Sequence, residues 1–347
     1  MKNQSIRWIS PSNIAIIKYW GKFGNQLPMN PSLSFTLSES KTDTSITWEV
    51  IPNQETCSFD FFYDGKPKPS FETKISNFLK KLEVEYNWLK LLHLEINSKN
   101  TFPHSAGIAS SASAMSAIAL CLVSIENEIN KQPYIEDVFY KTASRISRLG
   151  SGSAARSVFP VAALWGESIP VESSANDYAI PFINNIHPIF RELQDYIFII
   201  NKNEKLVSSS GGHQLMENHP YRASRIQQAN ENISKLIPAL ATGAFPEFAM
   251  ICEEEALSLH GLMMSSRPGY ILLEPESLWL INEIKSFQSL TQLPITFTID
   301  AGPNIHMLFP KSIKKEVDSW IQKSLPGYLI ENRIIFDSVG LGPERII

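Results

Sequence analysis

The sequence predicts an α+β fold, on three observations. Short β-branched and aromatic runs cluster early in the chain. Long helical periodicities follow them. The two kinds of segment mix without the strict strand–helix–strand repeat that a doubly wound parallel sheet requires. The 347 residues are 43% hydrophobic and 19% charged, ordinary globular proportions with enough chain for one large or two medium cores. A division near residue 188 is expected, giving units of 1–188 and 189–347, although no flexible linker marks it.

The expected elements follow in order. SITWEVI (45–51), CSFDFFYDGK (57–66) and LLHLEIN (91–97) alternate partially and read as strands, with Asp64-Gly65 as a turn. In SFETKISNFLKKLEVEY (70–86), Phe71, Ile75, Phe78, Leu79 and Leu82 recur at helical spacing. A helix starts at Ser110. Ala112, Met115, Ala119 and Leu122 fall on one face and Ile118 and Cys121 on another, which predicts burial almost all round. The helix IEDVFYKTASRISRL stops at Gly150, a common residue just past a helix end. YRASRIQQANENISKLIPAL (221–240) and EFAMICEEEALSLHGLMM (247–264) are long amphipathic helices, with CEEE (252–255) expected on a solvated face. ITFTID (295–300) alternates as a strand, AGPN turns, and IHMLF returns as a second strand.

Composition excludes some functions. A net charge of -4 lacks the basic footprint of a general nucleic-acid binder. Cys57, Cys121 and Cys252 form neither a CxxC pair nor a disulfide framework, which suits a reducing compartment. The start MKNQSIRWISPSN lacks a signal peptide's apolar core, and AMSAIALCLV (114–123) falls short of the roughly 20 residues that span a bilayer. A cytoplasmic protein without a membrane or nucleic-acid partner is expected. The seven histidines show no metal-ligand spacing, and no GxSxG elbow is present.

Four segments could carry chemistry. PHSAGIASSASAMSAIAL (103–120) puts a Gly/Ser loop before a helix start, where free N–H groups and hydroxyls can hold phosphate or Mg²⁺; tight helix packing explains it equally well. It is not a Walker A loop, because the GK[ST] ending is missing. In GSGSAARS (150–157), Ser153 is expected to cap a helix with Arg156 one turn inside, a carboxylate or phosphate site rather than a plain junction. In NIAIIKYWGK (13–22), Lys18 and Lys22 flank an aromatic pair, so they either snorkel or answer an anion. In TIDAGPN (298–304), Asp300 ends a strand, as a turn former or as a carboxylate held rigidly in a cleft.

Taken together and in order, NIAIIKYWGK, LPMNPSLSFTL, PHSAGIASSASA, RLGSGSAARSVF, VSSSGGHQL, TIDAGPN and SVGLGPE resemble the diphosphomevalonate decarboxylase family of the GHMP kinase superfamily. The resemblance implies an N-terminal domain like domain 2 of ribosomal protein S5, a GHMP-type C-terminal α+β domain, and an active-site cleft between them. It implies conversion of ATP and mevalonate 5-diphosphate to ADP, phosphate, CO₂ and isopentenyl diphosphate, with Mg²⁺, in a homodimer. By motif position it implies that Asp300 acts on the C3 hydroxyl, Arg156 holds the carboxylate and Lys18 lies near the reacting groups. Tyr19, Trp20, Gly21, Lys22, Lys74, Ser151, Gly152, Ser153, Ala154, Ala155 and Ser210 match substrate positions. Ser98, Asn100, Gly107, Ile108, Ala109, Ser110 and Ser111 match nucleotide positions, the last two near the metal.

Two stretches depart from the family pattern. Phe23-Gly24-Asn25 stands where many members carry a charged pair, and Ser210 where some bacterial members carry arginine. His213, Arg222 and Arg225 are the candidates to supply the missing contacts. A 3-kinase or a monophosphate-preferring decarboxylase therefore stays open, as does, at lower rank, a non-catalytic phosphometabolite binder.

Overall fold

The computed structural model describes residues 4–103, 108–131, 133–201 and 207–346, without the side chains of residues 209 and 210. An eight-stranded sheet runs in the order Glu344–Ile346, Gln4–Ala15, Ser32–Val50, Leu92–Asn100, Ser58–Tyr63, Lys66–Pro67, with Ala162–Trp165 and Ala179–Pro181 branching from Ser32–Val50. Among the described residues, only Ser58–Tyr63 and Leu92–Asn100 pair in parallel. A four-stranded antiparallel sheet runs Thr296–Thr298, Ile305–Pro310, Leu193–Phe198, Ile334–Ser338. The α+β class follows from these pairings.

The strand Ser32–Val50 is 19 residues long, far beyond the segment 45–51 legible from alternation. Its second half alternates in burial, while its first half is buried on both faces. Two-sided burial erases the period-two signal.

The helix Ser110–Asn130 packs across the first sheet with residues 112, 113 and 115–125 buried. By length and composition it could cross a membrane, but 72% of its apolar window is buried inside the protein. Its small residues allow close approach, and hydroxyls fill the seam. Trp8 Nε1 donates to Ser124 Oγ at 3.0 Å, Ser10 and Ser116 hydroxyls meet at 2.6 Å, and Thr42 Oγ1 donates to Ser113 Oγ at 2.6 Å. Beyond Ser111, then, the small-residue run serves packing.

The two sheets are tied together by a shared core. Ile14 and Phe35 from the early strands, with Ile16 and Ile17 just beyond the first, pack in one cluster with Leu236, Leu240 and Phe248 from the helices Arg222–Thr242 and Phe245–Ser265. Asp337 adds a polar latch: its carboxylate accepts from the backbone N–H groups of Ser38, Glu39 and Ser40, each at 2.8 Å.

Candidate active site

A cavity of about 800 Å³ opens between these layers. Its wall takes side chains from the first strand and the turn after it, the helix Pro69–Glu83, the start of Ser110–Asn130, the segment 149–156, and the 298–304 turn. Lys18, Arg156 and Asp300, separated by up to 282 residues, all face it.

Lys18 is 1% exposed, and its Nζ donates to Asp300 Oδ1 at 2.7 Å. It does not snorkel: the ammonium turns inward and is answered by a carboxylate. Asp300 gets there because the short strand Thr296–Thr298 ends just before the turn that feeds Ile305–Pro310.

Arg156 is 2% exposed. Its Nε donates to Ser34 Oγ at 2.9 Å and its Nη2 to Asn13 Oδ1 at 3.4 Å, while Nη1 is buried without a hydrogen-bond partner among the described residues. The pairing of Gln4–Ala15 with Ser32–Val50 shifts register between Pro11 and Asn13, beside the point where Asn13 meets the arginine. Burial pushes the guanidinium down to about 10, against the attraction of Asp300 and Tyr19. It stays cationic at neutral pH, with one unanswered donor edge, which suits an incoming carboxylate.

The helix expected to start at Ser153 is not formed. Residues Gly152–Arg156 make a single 3₁₀ turn whose cap position is Ser151, with no side-chain cap bond, because Pro160 and the strand Ala162–Trp165 pull the chain into the sheet. Ser153 therefore caps nothing, and anion-facing groups here are side chains rather than a helix terminus. Gly152 is required by closeness: a Cβ there would lie 2.7 Å from the Tyr19 ring.

One end of the cleft is cationic. Lys22, Lys74 and Lys81 line it, and Lys22 Nζ donates to Gln26 Oε1 at 2.7 Å. Burial first, and Lys81 second, pull the Lys22 ammonium below its ordinary value, while Glu217 opposes. Three ammonium groups lining one cleft, with Lys22 and Lys81 near each other, favour a multiply charged anion.

His213 lies between the rings of Tyr19 and Trp20, at centroid distances of 4.3 and 4.6 Å. Its Nδ1 accepts the Gly21 N–H at 2.9 Å, so the neutral ring carries its proton on Nε2. Burial, helped by Lys22 and Arg156, pushes it down to about 3.

Elsewhere on the cleft wall, Ala109 adopts a left-handed conformation (φ 45°) and starts the helix, with Ser110 and Ser111 as its first residues. Ser111 and Ser151 hydroxyls lie 3.1 Å apart. A side cavity of about 70 Å³ adjoins here, lined by Phe61, Tyr63, Phe71, Ser98 and Asn100 and sharing Lys74, Ser110 and Ser111 with the main cleft.

Not every expected residue faces the cleft. Ile108, Ala154 and Ala155 are buried in the core, and Gly21 packs on Met29 and Met216. Arg225 is bound to Glu255 in a buried ion pair at 2.6 Å, and Arg222 caps the carbonyl of Glu217 at 3.0 Å, so neither supplies charge to the cleft. Glu255 itself is 0% exposed, which corrects its expected solvated face. Gly107 and the side chain of Ser210 lie outside the described residues. Sequence reading missed Asn13, Ser34 and Lys81. All three sit in or beside segments that carried other signals, and nothing in their own spacing distinguishes them.

A magnesium ion fits this wall. Among the described residues no group of three or more His, Cys, Asp or Glu side chains could hold a metal alone. Ser110 and Ser111 offer hard oxygen donors of the kind that complete a site built mainly from nucleotide phosphates and water.

Comparison with known proteins agrees with this geometry. Residues 10–175 match the diphosphomevalonate decarboxylase-like N-terminal domain, and residues 196–342 match the mevalonate 5-diphosphate decarboxylase C-terminal domain. The diphosphomevalonate decarboxylase of Candida albicans is 28% identical, with 97% of this chain and 96% of that protein aligned. The crystal structure of mevalonate diphosphate decarboxylase from Staphylococcus aureus superposes with a TM-score of 0.82 at 29% identity, covering 99% of this chain and 98% of that one. A structure described as MDDEF in complex with MVAPP, AMPPCP and magnesium superposes with a TM-score of 0.81 at 27% identity, covering 99% and 98%. The chain belongs to the diphosphomevalonate decarboxylase family.

Proposed function

We propose that the chain catalyses the ATP-dependent decarboxylation of (R)-mevalonate 5-diphosphate to isopentenyl diphosphate, releasing ADP, phosphate and CO₂. The single observation that carries this is the meeting of a carboxylate held by a buried ammonium with a half-answered buried guanidinium in one cleft.

The proposed roles follow from the chemistry. Asp300 accepts the proton of the C3 hydroxyl as that oxygen attacks the γ-phosphoryl group of ATP. Lys18, paired with it at 2.7 Å, aims the Asp300 carboxylate. Arg156 binds the substrate carboxylate through its free Nη1. The C3–O bond then breaks, with the pair leaving on phosphate. The C1–C2 bond breaks with loss of CO₂, and its pair forms the C2=C3 double bond. Asp300 faces the positive charge that develops at C3. Lys22 and Lys74, with Tyr19, Trp20, Ser151, Gly152 and Ser153, bind the substrate and its diphosphate end, joined by Lys81. Ala109, Ser110 and Ser111 receive the triphosphate; Ser98 and Asn100 bound the side cavity for the rest of the nucleotide. Ser110 and Ser111 would hold Mg²⁺, which when bound would supply charge neutralisation to the nucleotide phosphates.

We further propose a division into 1–188 and 189–347, with the strand Glu344–Ile346 returning to the first sheet, a homodimer, and a cytoplasmic location in keeping with three free buried cysteines. The test supplies purified protein with ATP, Mg²⁺ and mevalonate, its 5-phosphate or its 5-diphosphate, and measures ADP and CO₂ from each. Equal ADP and CO₂, with the highest kcat/KM on the diphosphate, is expected. ADP without CO₂ overturns the decarboxylase.

A further inference from the structure

Lys18 lies in irregular backbone after the first strand, yet both of its peptide groups are fixed. Its N–H donates to Glu255 Oε2 at 2.8 Å. Its carbonyl accepts from Arg225 Nη2 at 2.9 Å and from Asn30 Nδ2 at 3.0 Å. Glu255 and Arg225 are themselves joined twice, Nη1 to Oε1 at 2.8 Å and Nη2 to Oε2 at 2.6 Å, and Asn232 Nδ2 adds a bond to Oε1 at 2.9 Å. Their side chains are 1% and 0% exposed.

A fully buried ion pair is a poor way to gain stability, because well-packed apolar residues of the same volume serve as well or better. The pair here touches neither cleft nor solvent, so it contacts no substrate. What it does contact is the backbone of the residue that pairs with Asp300. The helix Phe245–Ser265 that carries Glu255 also carries His260, whose Nε2 lies 3.1 Å from the Asp300 carbonyl oxygen. One helix thus fixes the backbone of both members of the couple.

We propose that Glu255, charge-balanced by Arg225, is a positioning residue that holds Lys18 in register with Asp300 for the phosphoryl-transfer step. The inference rests on the decarboxylase reading. CO₂ release by the wild-type enzyme tests that reading first, so the two fail separately.

The experiment is a double-mutant cycle on the full chain. The variant Arg225→Met/Glu255→Met removes both charges together and leaves none unpaired. Misplacing a reacting group by about 1 Å costs on the order of 10²-fold in rate, so kcat is expected to fall by about that factor. KM for ATP and for the diphosphate should stay within about threefold, because the groups that bind them are untouched. In a Lys18→Met background the same double substitution should change kcat by less than about threefold, since the residue it positions is gone. A full-size loss in that background, or normal kcat in the folded double variant, overturns the proposal. If the double variant does not fold, Glu255→Asp keeps the charge pair but withdraws the acceptor from the Lys18 N–H. It is read through the same cycle with the same two outcomes.

Discussion

Replacing Arg156 by methionine removes a buried cation that the protein alone leaves partly unanswered. Burial holds the guanidinium at about 10, well below its ordinary value, which corresponds to about 3 kcal/mol by which the folded state disfavours the charge. Both folded and unfolded chains are protonated at pH 7, so this penalty is fully present there, and methionine relieves it. Against that stand the bonds to Ser34 at 2.9 Å and Asn13 at 3.4 Å, together about 2 kcal/mol. The variant is expected to unfold within about 2 kcal/mol of the wild type on either side. Arg225 is the control: equally buried, but bidentate to Glu255, so Arg225→Met strands a carboxylate and costs about 3–5 kcal/mol. Urea unfolding followed by tryptophan fluorescence reads both variants. Mevalonate 5-diphosphate should raise the wild-type midpoint and leave Arg156→Met unmoved. Equal destabilisation of the two variants, or undiminished stabilisation of Arg156→Met by the substrate, refutes a guanidinium reserved for a ligand.

The remaining predictions concern three other groups. Asp300→Asn should lower kcat by about 10²–10⁴-fold with ATP affinity retained, measured by single-turnover ADP formation and nucleotide titration; near-normal kcat contradicts proton acceptance there. The neutral ring of His213 has no effect on stability above about pH 6.5. Below it the unfolded chain takes up a proton that the folded ring refuses down to about pH 3, so stability should fall on acidification by about 3 kcal/mol at pH 4.5. His213→Gln should flatten the urea midpoint over pH 4.5–6.5, and an unchanged slope contradicts the assignment. Asp337→Ala removes the acceptor for four backbone N–H groups, three of them on Ser38–Ser40, and should cost about 3 kcal/mol in the same unfolding assay; a loss under about 1 kcal/mol means water replaces the latch.

Periodicity and turn chemistry made the helices Pro69–Glu83, Ser110–Asn130, Glu136–Gly150, Arg222–Thr242 and Phe245–Ser265 legible, with burial almost all round for Ser110–Asn130 up to Ile125, but left the helix Pro275–Thr291 and the strands Gln4–Ala15 and Leu193–Phe198 unread. They failed where two faces are buried at once. The first half of Ser32–Val50 carries no alternation, so its length was invisible. Pattern also misplaced charge. Glu255 sits in a CEEE run that looks like a solvated face, and only Arg225 across the helix pair explains why it turns inward. Ser153 has the chemistry of a helix cap, but Pro160 and the following strand leave room for a single turn. The catalytic candidates stood out because each sits at a break between an apolar run and a glycine or proline turn. Their convergence is a property of the tertiary fold, which no local spacing encodes.

The most direct measurement is a crystal structure of the enzyme with mevalonate 5-diphosphate and a non-hydrolysable ATP analogue. The account predicts the substrate carboxylate on Arg156 Nη1 and the C3 hydroxyl against the Asp300 carboxylate, with the γ-phosphoryl analogue facing that hydroxyl. A substrate bound with its carboxylate away from Arg156, or with the C3 hydroxyl out of reach of Asp300, contradicts it.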